Sequence, residues 1–588
     1  MPSITTPQGR KAYVPGVYSG FDVVSDLPGA LPDFQVPVVV GEAEEGYPFD
    51  VRGSQEAHEN LSPWTLRGTS SGTRTFFGSD SDMAVGFGYS KKHGLPQAYC
   101  VAINSLTRAK VIATSTGPIN QMTVMSQKYG APGGWNKVRF ASGVFEVTPV
   151  RNYSRLTANT LITSTRIYVR DNSWIQVDTD VIVGSNAVAA ITRTVTAVGT
   201  DLDAAGQVLY WVEFDSAIGT ALGTAGYALV LEYDETGKET SPTFIAGQGQ
   251  LLLDWLQNES EFLNGTKHAA FTGALPIAIA TATPLKDITT WGTVTAGTTP
   301  SATSTNHTDF IALLDSSETD LFALERQSIH QAFLILDGSS TVHGSWRDWA
   351  IAKRGEGYAV SVITGARWGD IVVGAGDDTD PLFRAATLNS QDVACCAGGL
   401  DRLDAYLSFA PAVFGRRIER GIPHNLTNDD LLYSEIEVQW DERNAGELTA
   451  LHRGGVLVYR LSNQNSIRYR ISQGLATLQQ NSNSWNEVTD DTPLLMQRDL
   501  ADFIDRILKL DLDERQVGAD RVTADTVAAV VVRRAQQSLL RRGLIEEFKI
   551  TSITLNESGT GFDVAWSVRL PVTTDFITMT TTILIGEA

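Results

Sequence analysis

Residues 332–363, AFLILDGSSTVHGSWRDWAIAKRGEGYAVSVI, carry the pattern that decides the fold. The apolar run Ala332–Leu336 is followed by turn residues, then by Ser345–Arg354, which suits a helix, then by the apolar run Tyr358–Ile363. Strand, helix and strand in that order are the unit of a sheet flanked by helices. Unbroken apolarity, in place of alternation, predicts strands covered on both faces. Working outward, Val36–Val40 (VPVVV), ended by Gly41, and Ala98–Ile103 (AYCVAI) read as further buried strands, and Asp320–Ile329 as a helix. Residues 391–409, around VACCAG at Val393–Gly398, read as a helix of small apolar residues.

The chain has 588 residues, room for about three to five domains at the usual 100–200 residues each. Hydrophobic residues make up 42% and charged residues 19%, an ordinary globular composition that excludes global disorder. Lys plus Arg is 46 against 67 Asp plus Glu, a net charge of −21, so a phosphate backbone or an anionic bilayer would repel the molecule as a whole. No nucleic-acid partner and no membrane insertion are therefore expected. The start, MPSITTPQGRKAY, lacks the apolar core of a signal peptide, and apolar runs such as Val527–Val532 fall far short of the roughly 18 residues of a membrane span. Of the three cysteines, Cys395 and Cys396 are adjacent and poorly placed to bridge, which fits assembly in a reducing cytoplasm without a disulfide framework.

Texture divides the chain. Residues 1–24 read as an extended arm, with Tyr13, Val14, Val17 and Tyr18 favouring strand around Pro15 and Gly16. Residues 25–155 read as a first α/β part, 156–317 as an inserted β-rich outer region, 318–400 as a second α/β part and 401–588 as a C-terminal domain. Within the insertion, Trp174–Val183 alternates as a strand would, whereas Thr281–His307 reads as loop or linker. No repeat of fixed period stands out. Near the end, Met496, Leu500, Phe503, Ile504, Ile507 and Leu508 recur on one helical face after Thr492 and Pro493, and a second helix is expected from Thr523 to Gly543. Phe562–Leu570 and Phe576–Ile585 then read as a closing hairpin.

Several of these stretches, in this order, resemble the contractile tail sheath proteins of bacteriophages. They are Tyr13-Val-Pro-Gly-Val-Tyr18, the strand and turn Val36–Gly46, the turn Tyr129–Asn136, Cys395–Gly398, Glu435–Glu437, Leu448–Tyr459, the helix Arg498–Leu510, Gly518–Thr523 and the closing hairpin. The resemblance covers about residues 10–150 and 320–588 and leaves out 156–317. It implies a mixed α/β (α+β) multidomain fold, with an inner α/β body, an inserted β-rich outer region and extended terminal arms. It also implies a structural role without a catalytic site or cofactor. Subunits of that family stack as rings into a helical homo-oligomer around an inner tail tube, meet baseplate and tail terminator proteins, and contract to drive the tube through the host envelope. The expected location is the tail sheath of a virion assembled in the host bacterial cytoplasm.

Two sets of residues are singled out. Tyr13, Val14, Pro15, Gly16, Val17 and Tyr18 at one end, with Ile577, Met579, Thr581, Ile583 and Ile585 at the other, suit strand addition between subunits, although the latter face could also close the subunit's own sheet. Arg533, Arg534, Arg541 and Arg542 make a basic patch on an acidic chain. It either complements the helix's negative C-terminal end or, as the resemblance favours, faces the tube. At 100° per residue Arg534 and Arg541 would share a face.

Other chemistry is sparse. The eight histidines form neither HxxxH nor HExxH and no CxxC occurs, so no metal site is expected. Gly374-Ala-Gly376 followed by Asp377–Asp380 lacks the Lys and Ser/Thr of a phosphate loop and the spacing of a calcium loop, and reads as an acidic loop. His343-Gly-Ser-Trp346 lacks a nucleophile elbow. Two other readings stay open: the sheath of a headless injection particle, and a carbohydrate-binding or carbohydrate-processing virion protein suggested by the Trp-containing β-rich middle.

Overall fold

The structure is a computed structural model. It describes residues 4–5, 11–12, 35–46, 76–78, 81–315 (without 97, 187, 203–207, 224–226 and 300), 330–366 (without 357), 375–421 (without 402–403), 425–431 (without 428), 445–478 (without 463–467), 494–515, 522–555 and 562–569. The predicted helix Asp320–Ile329, Glu435–Glu437 and the pair Thr492 and Pro493 lie outside them.

The body is a six-stranded parallel sheet, in the spatial order Val456–Leu457, Val393–Ala397, Val360–Ala366, His330–Ile335, Gln35–Gly41, Tyr99–Ala102. Side chains alternate between two cores. Val38, Val40, Phe333, Ile335, Val362 and Cys395 enter one, while Val39, Ala332, Leu334, Ile363 and Cys396 enter the other. Helices Ser304–Asp315 and Ser340–Gly355 cover the first through Phe310, Trp346 and Trp349. Helices Asp82–Lys92 and Ala410–Arg420 cover the second through Met83, Phe87 and Phe414. Coverage on both faces is why these strands are apolar throughout.

Val393–Ala397 corrects the helix expected over residues 391–409, since it is an interior strand between Val360–Ala366 and Val456–Leu457. A short apolar run has no period to separate a buried strand from a buried helix. Successive strand side chains point to opposite faces, so Cys395 and Cys396 are buried in different cores and both are free thiols.

Strand pairing draws other boundaries than texture does. Lys110–Ser115, Ile119–Ser126, Lys137–Ala141, Val144–Thr148 and Val150–Arg155 pair with strands beyond residue 156, namely Val294–Thr295, Leu263–Lys267, Ile279–Pro284, Glu239–Thr240 and Leu229–Tyr233. The β-rich unit therefore begins near residue 107, and its three sheets straddle the boundary placed between residues 155 and 156. Residues 281–307 are not a linker: Leu285, Ile288 and Trp291 pack in the β core with Phe145 and Trp255, and Ser304 starts a body helix. The boundary at residue 400 also falls inside the body, because Ala410–Arg420 and Val456–Leu457 belong to it.

A C-terminal unit follows. It comprises the helix Leu495–Arg515, the helix Ala524–Arg534 continuing into a π-helical turn Ala535–Leu540, and a hairpin. The hairpin pairs Phe562–Arg569 with Glu547–Leu555, and residues 576–585 lie outside the described residues.

Candidate assembly surface

Thr523 caps the helix Ala524–Arg534 through a reciprocal pair: its hydroxyl accepts from the Thr526 N–H at 3.3 Å, and its own N–H donates to the Thr526 hydroxyl at 2.9 Å. Val531, Ala535 and Leu539 pack against Leu500, Phe503, Ile504, Ile507 and Leu508, the face that the helical period marks in the sequence, and Val527 is buried one turn before Val531. Gly543 ends the segment at φ 69°, a conformation that suits glycine.

The π turn alters the arginine geometry. Its N–H to C=O bonds span five residues, as from Arg541 to Gln536. The wider turn adds residues without advancing the face, so a separation of seven no longer brings Arg541 over Arg534. Arg533, Arg541 and Arg542 are exposed, while Arg534 is half-buried. Composition gave no signal of the π segment.

The hairpin is amphipathic. Phe548, Ile550, Ile553, Phe562, Val564, Trp566 and Val568 lie on one half-buried face, and Lys549, Thr551, Thr554, Asp563, Ser567 and Arg569 on the exposed one. Phe548, Ile550, Trp566 and Val568 pack on the helical core at the base of the ribbon. Towards the tip that cover ends, and Leu555 is 61% exposed. Among the described residues neither outer edge of the ribbon is paired with a further strand. Reading Phe562–Leu570 forwards to a later strand passed over Glu547–Leu555, although its own Phe548 and Ile550 alternate visibly. Tyr13, Val14, Pro15, Gly16, Val17, Tyr18, Ile577, Met579, Thr581, Ile583 and Ile585 lie outside the described residues.

The remaining candidates are structural. Asp380 caps the helix Pro381–Leu388, and Asp377 folds its carboxylate back onto Thr379. His343 is buried, with Nε2 2.7 Å from the Asp337 carbonyl, and burial lowers its pKa to about 4. Burial likewise lowers His93 and His452 to about 4, so these rings are neutral at pH 7. No group of three or more potential metal ligands occurs among the described residues. The β unit's tryptophans serve packing: Trp135, Trp255 and Trp291 are buried. The Trp211 ring lies between Gly199, which has no side chain to obstruct it, and the Arg166 guanidinium at 3.9 Å.

Where the β unit meets the body, a cleft of about 650 Å³ opens at the carboxyl ends of Gln35–Gly41 and His330–Ile335. One ion pair crosses the joint, Arg170 bonding Asp82 at 2.6 Å, and on the body side the Ser340 hydroxyl donates to Asp378 at 2.6 Å. No helix of the described residues is long and apolar enough to cross a membrane.

No protein-family model matches the sequence, and no curated protein matches it. Among solved structures, the chain is similar to one in the anti-feeding prophage baseplate, at 14% identity and a TM-score of 0.37, over 49% of this chain and 76% of that one. It is also similar to the anti-feeding prophage helical sheath in its contracted state, at 14% identity and a TM-score of 0.35, over 50% of this chain and 78% of that one.

Proposed function

We propose that this chain is the structural subunit of a contractile sheath, which polymerises around an inner tube in an extended state and contracts to drive that tube through an envelope. The observation that carries this reading is the terminal ribbon Glu547–Leu555 and Phe562–Arg569, with an apolar tip face and two edges that no described strand pairs. Two-stranded ribbons are marginal in water, and main-chain bonds from another chain complete them. The strand-favouring segments Tyr13–Tyr18 and Ile577–Ile585 supply such strands at the two ends of the sequence. Strand linkages of this kind act as hinges that survive a large rigid-body movement. Arg533, Arg541 and Arg542 give the same unit a basic surface suited to an acidic tube. In a virion the contraction would serve genome ejection, and in a headless particle it would deliver the tube alone.

Electron microscopy of the purified chain tests the proposal. Tubes or short wide cylinders are expected, and a chain without residues 1–20 is expected to stay folded and monomeric. A full chain that remains monomeric with and without a tube template would overturn it.

A further inference from the structure

The helix Leu495–Arg515 uses its two faces differently. Leu500, Phe503, Ile504, Ile507 and Leu508 are buried within the C-terminal unit's own core, against Val531, Ala535, Leu539, Leu544 and Ile545. The opposite face carries Leu495, Arg498, Asp499 and Asp502 and meets the parallel-sheet body. Leu495 enters the body's core and its N–H donates to the Gly474 carbonyl at 3.2 Å beside a bridge between Leu475 and Leu494, and the side chains that follow on this face are charged.

The Arg417 guanidinium, from the body helix Ala410–Arg420, makes a two-pronged contact with Asp499, with Nε at 2.8 Å from Oδ2. Arg354, at the end of Ser340–Gly355, grips Asp502 at 2.7 and 3.1 Å and also bonds Asp392. Arg498 bonds Asp502 at 3.0 Å and reaches Gln391 of the body at 3.2 Å. Arg354, Arg417 and Arg498 thus face Asp392, Asp499 and Asp502, a charge-balanced seam in which Arg417 and all three carboxylates are buried.

Such a seam fixes geometry better than it supplies binding energy. Desolvating the charges offsets much of their attraction, whereas removing one partner strands the other in low dielectric. The Asp392 and Asp499 carboxyls show that balance: burial pushes both upward although arginines pull them down. The unit's own core is apolar and needs no body residue.

We infer that the C-terminal unit is a separately folded body latched to the parallel sheet by this ion-pair seam, and that it detaches whole when the seam is broken. The inference concerns one subunit in solution and does not depend on the chain forming a sheath.

Hydrogen exchange on the full-length chain tests it, with Asp499→Asn/Asp502→Asn compared with the parent. Amides of Ser340–Gly355 and Ala410–Arg420 next to the seam should exchange faster by about a hundredfold, the scale of a broken buried pair. Amides within Ala524–Arg534 and the hairpin should keep the parent's protection. A second variant guards against misfolding: Asp499→Arg alone should open the seam, and Asp499→Arg with Arg417→Asp should close it again. Loss of protection throughout the C-terminal unit in the double-Asn variant would show one cooperative fold and overturn the inference. So would unchanged exchange at the seam in both single-sided variants.

Discussion

Thr107 and Thr298, 191 residues apart, face each other as an antiparallel bridge and exchange backbone hydrogen bonds at 3.1 and 3.2 Å, with their hydroxyls 2.6 Å apart. One residue before this bridge, Leu106 packs in the body's core, and two residues after it, Ala109 packs in the β core. The bridge is the neck of the β-rich unit.

Excision at the neck should therefore leave the body intact. Replacing residues 108–297 by a short flexible linker should give a soluble chain whose remaining strands and helices keep their protection against hydrogen exchange, because the ends to be joined already touch. Removing residues 160–315 should instead produce aggregation, since it strips the partners from five strands upstream and takes Phe310 from the body. Comparing the two deletions by circular dichroism and gel filtration checks this, and a well-folded 160–315 deletion would contradict the pairing.

How much of this was legible follows from the range of the interactions. Val36–Val40, Ala332–Leu336 and Tyr358–Ile363 announce buried strands because their environment is written into their own residues. So does the face from Leu500 to Leu508, which needs only the helical period. Cys395 and Cys396 are small enough for either helix or strand, and the choice is made by Thr364 and Gly365 on one side and Val456 and Leu457 on the other, far off in sequence. The neck was invisible for the same reason, since texture reports a stretch and not its partner. The seam at Asp499 and Asp502 hid in plain view: charges on a helix read as solvated until Arg354 and Arg417 are placed opposite them.

Acid should weaken the protein in part through His343. Its folded pKa of about 4 lies below the usual 6.5, so between those values the unfolded chain binds a proton that the folded chain refuses. Stability from this group is full above pH 6.5 and is lost as pH falls, by about 2 kcal/mol between pH 8 and pH 5. Asp392 and Asp499, raised by burial, act in the opposite sense, so the comparison must be made against a variant. His343→Gln should lower the urea midpoint at pH 8 and approach the parent at pH 5. Parallel curves across that range would show that the ring does not titrate as its burial implies.

Substitutions on the terminal ribbon should separate folding from assembly. Trp566 packs on the helical core at the base, so Trp566→Ala should destabilise the C-terminal unit by about 2–3 kcal/mol, below the cost at a fully buried site. Ile553 and Val564 oppose each other nearer the tip. Changing both to Lys should shift the melting temperature little and abolish polymer formation seen by electron microscopy. Polymers of normal length from that variant would remove the ribbon's tip from the interface.

The basic surface gives the last test. Arg533, Arg541 and Arg542 are exposed on a chain of net charge −21, and Arg534 is half-buried, so the informative substitutions are at the first three. An exposed pair is worth about 0–1 kcal/mol and is screened by salt, so one subunit's contact with a tube would be weak. Repetition in every subunit would make the sum large and still releasable. Arg541→Glu with Arg542→Glu removes two positive charges and adds two negative ones beside Gly543, where the helix carbonyls already concentrate negative charge. The subunit's melting temperature should fall only slightly from that helix-end effect. Coating of a tube template should drop steeply at low salt, and the difference from the parent should shrink as salt rises. If the double variant coats the tube as well as the parent at low salt, the arginines only balance the end of their own helix.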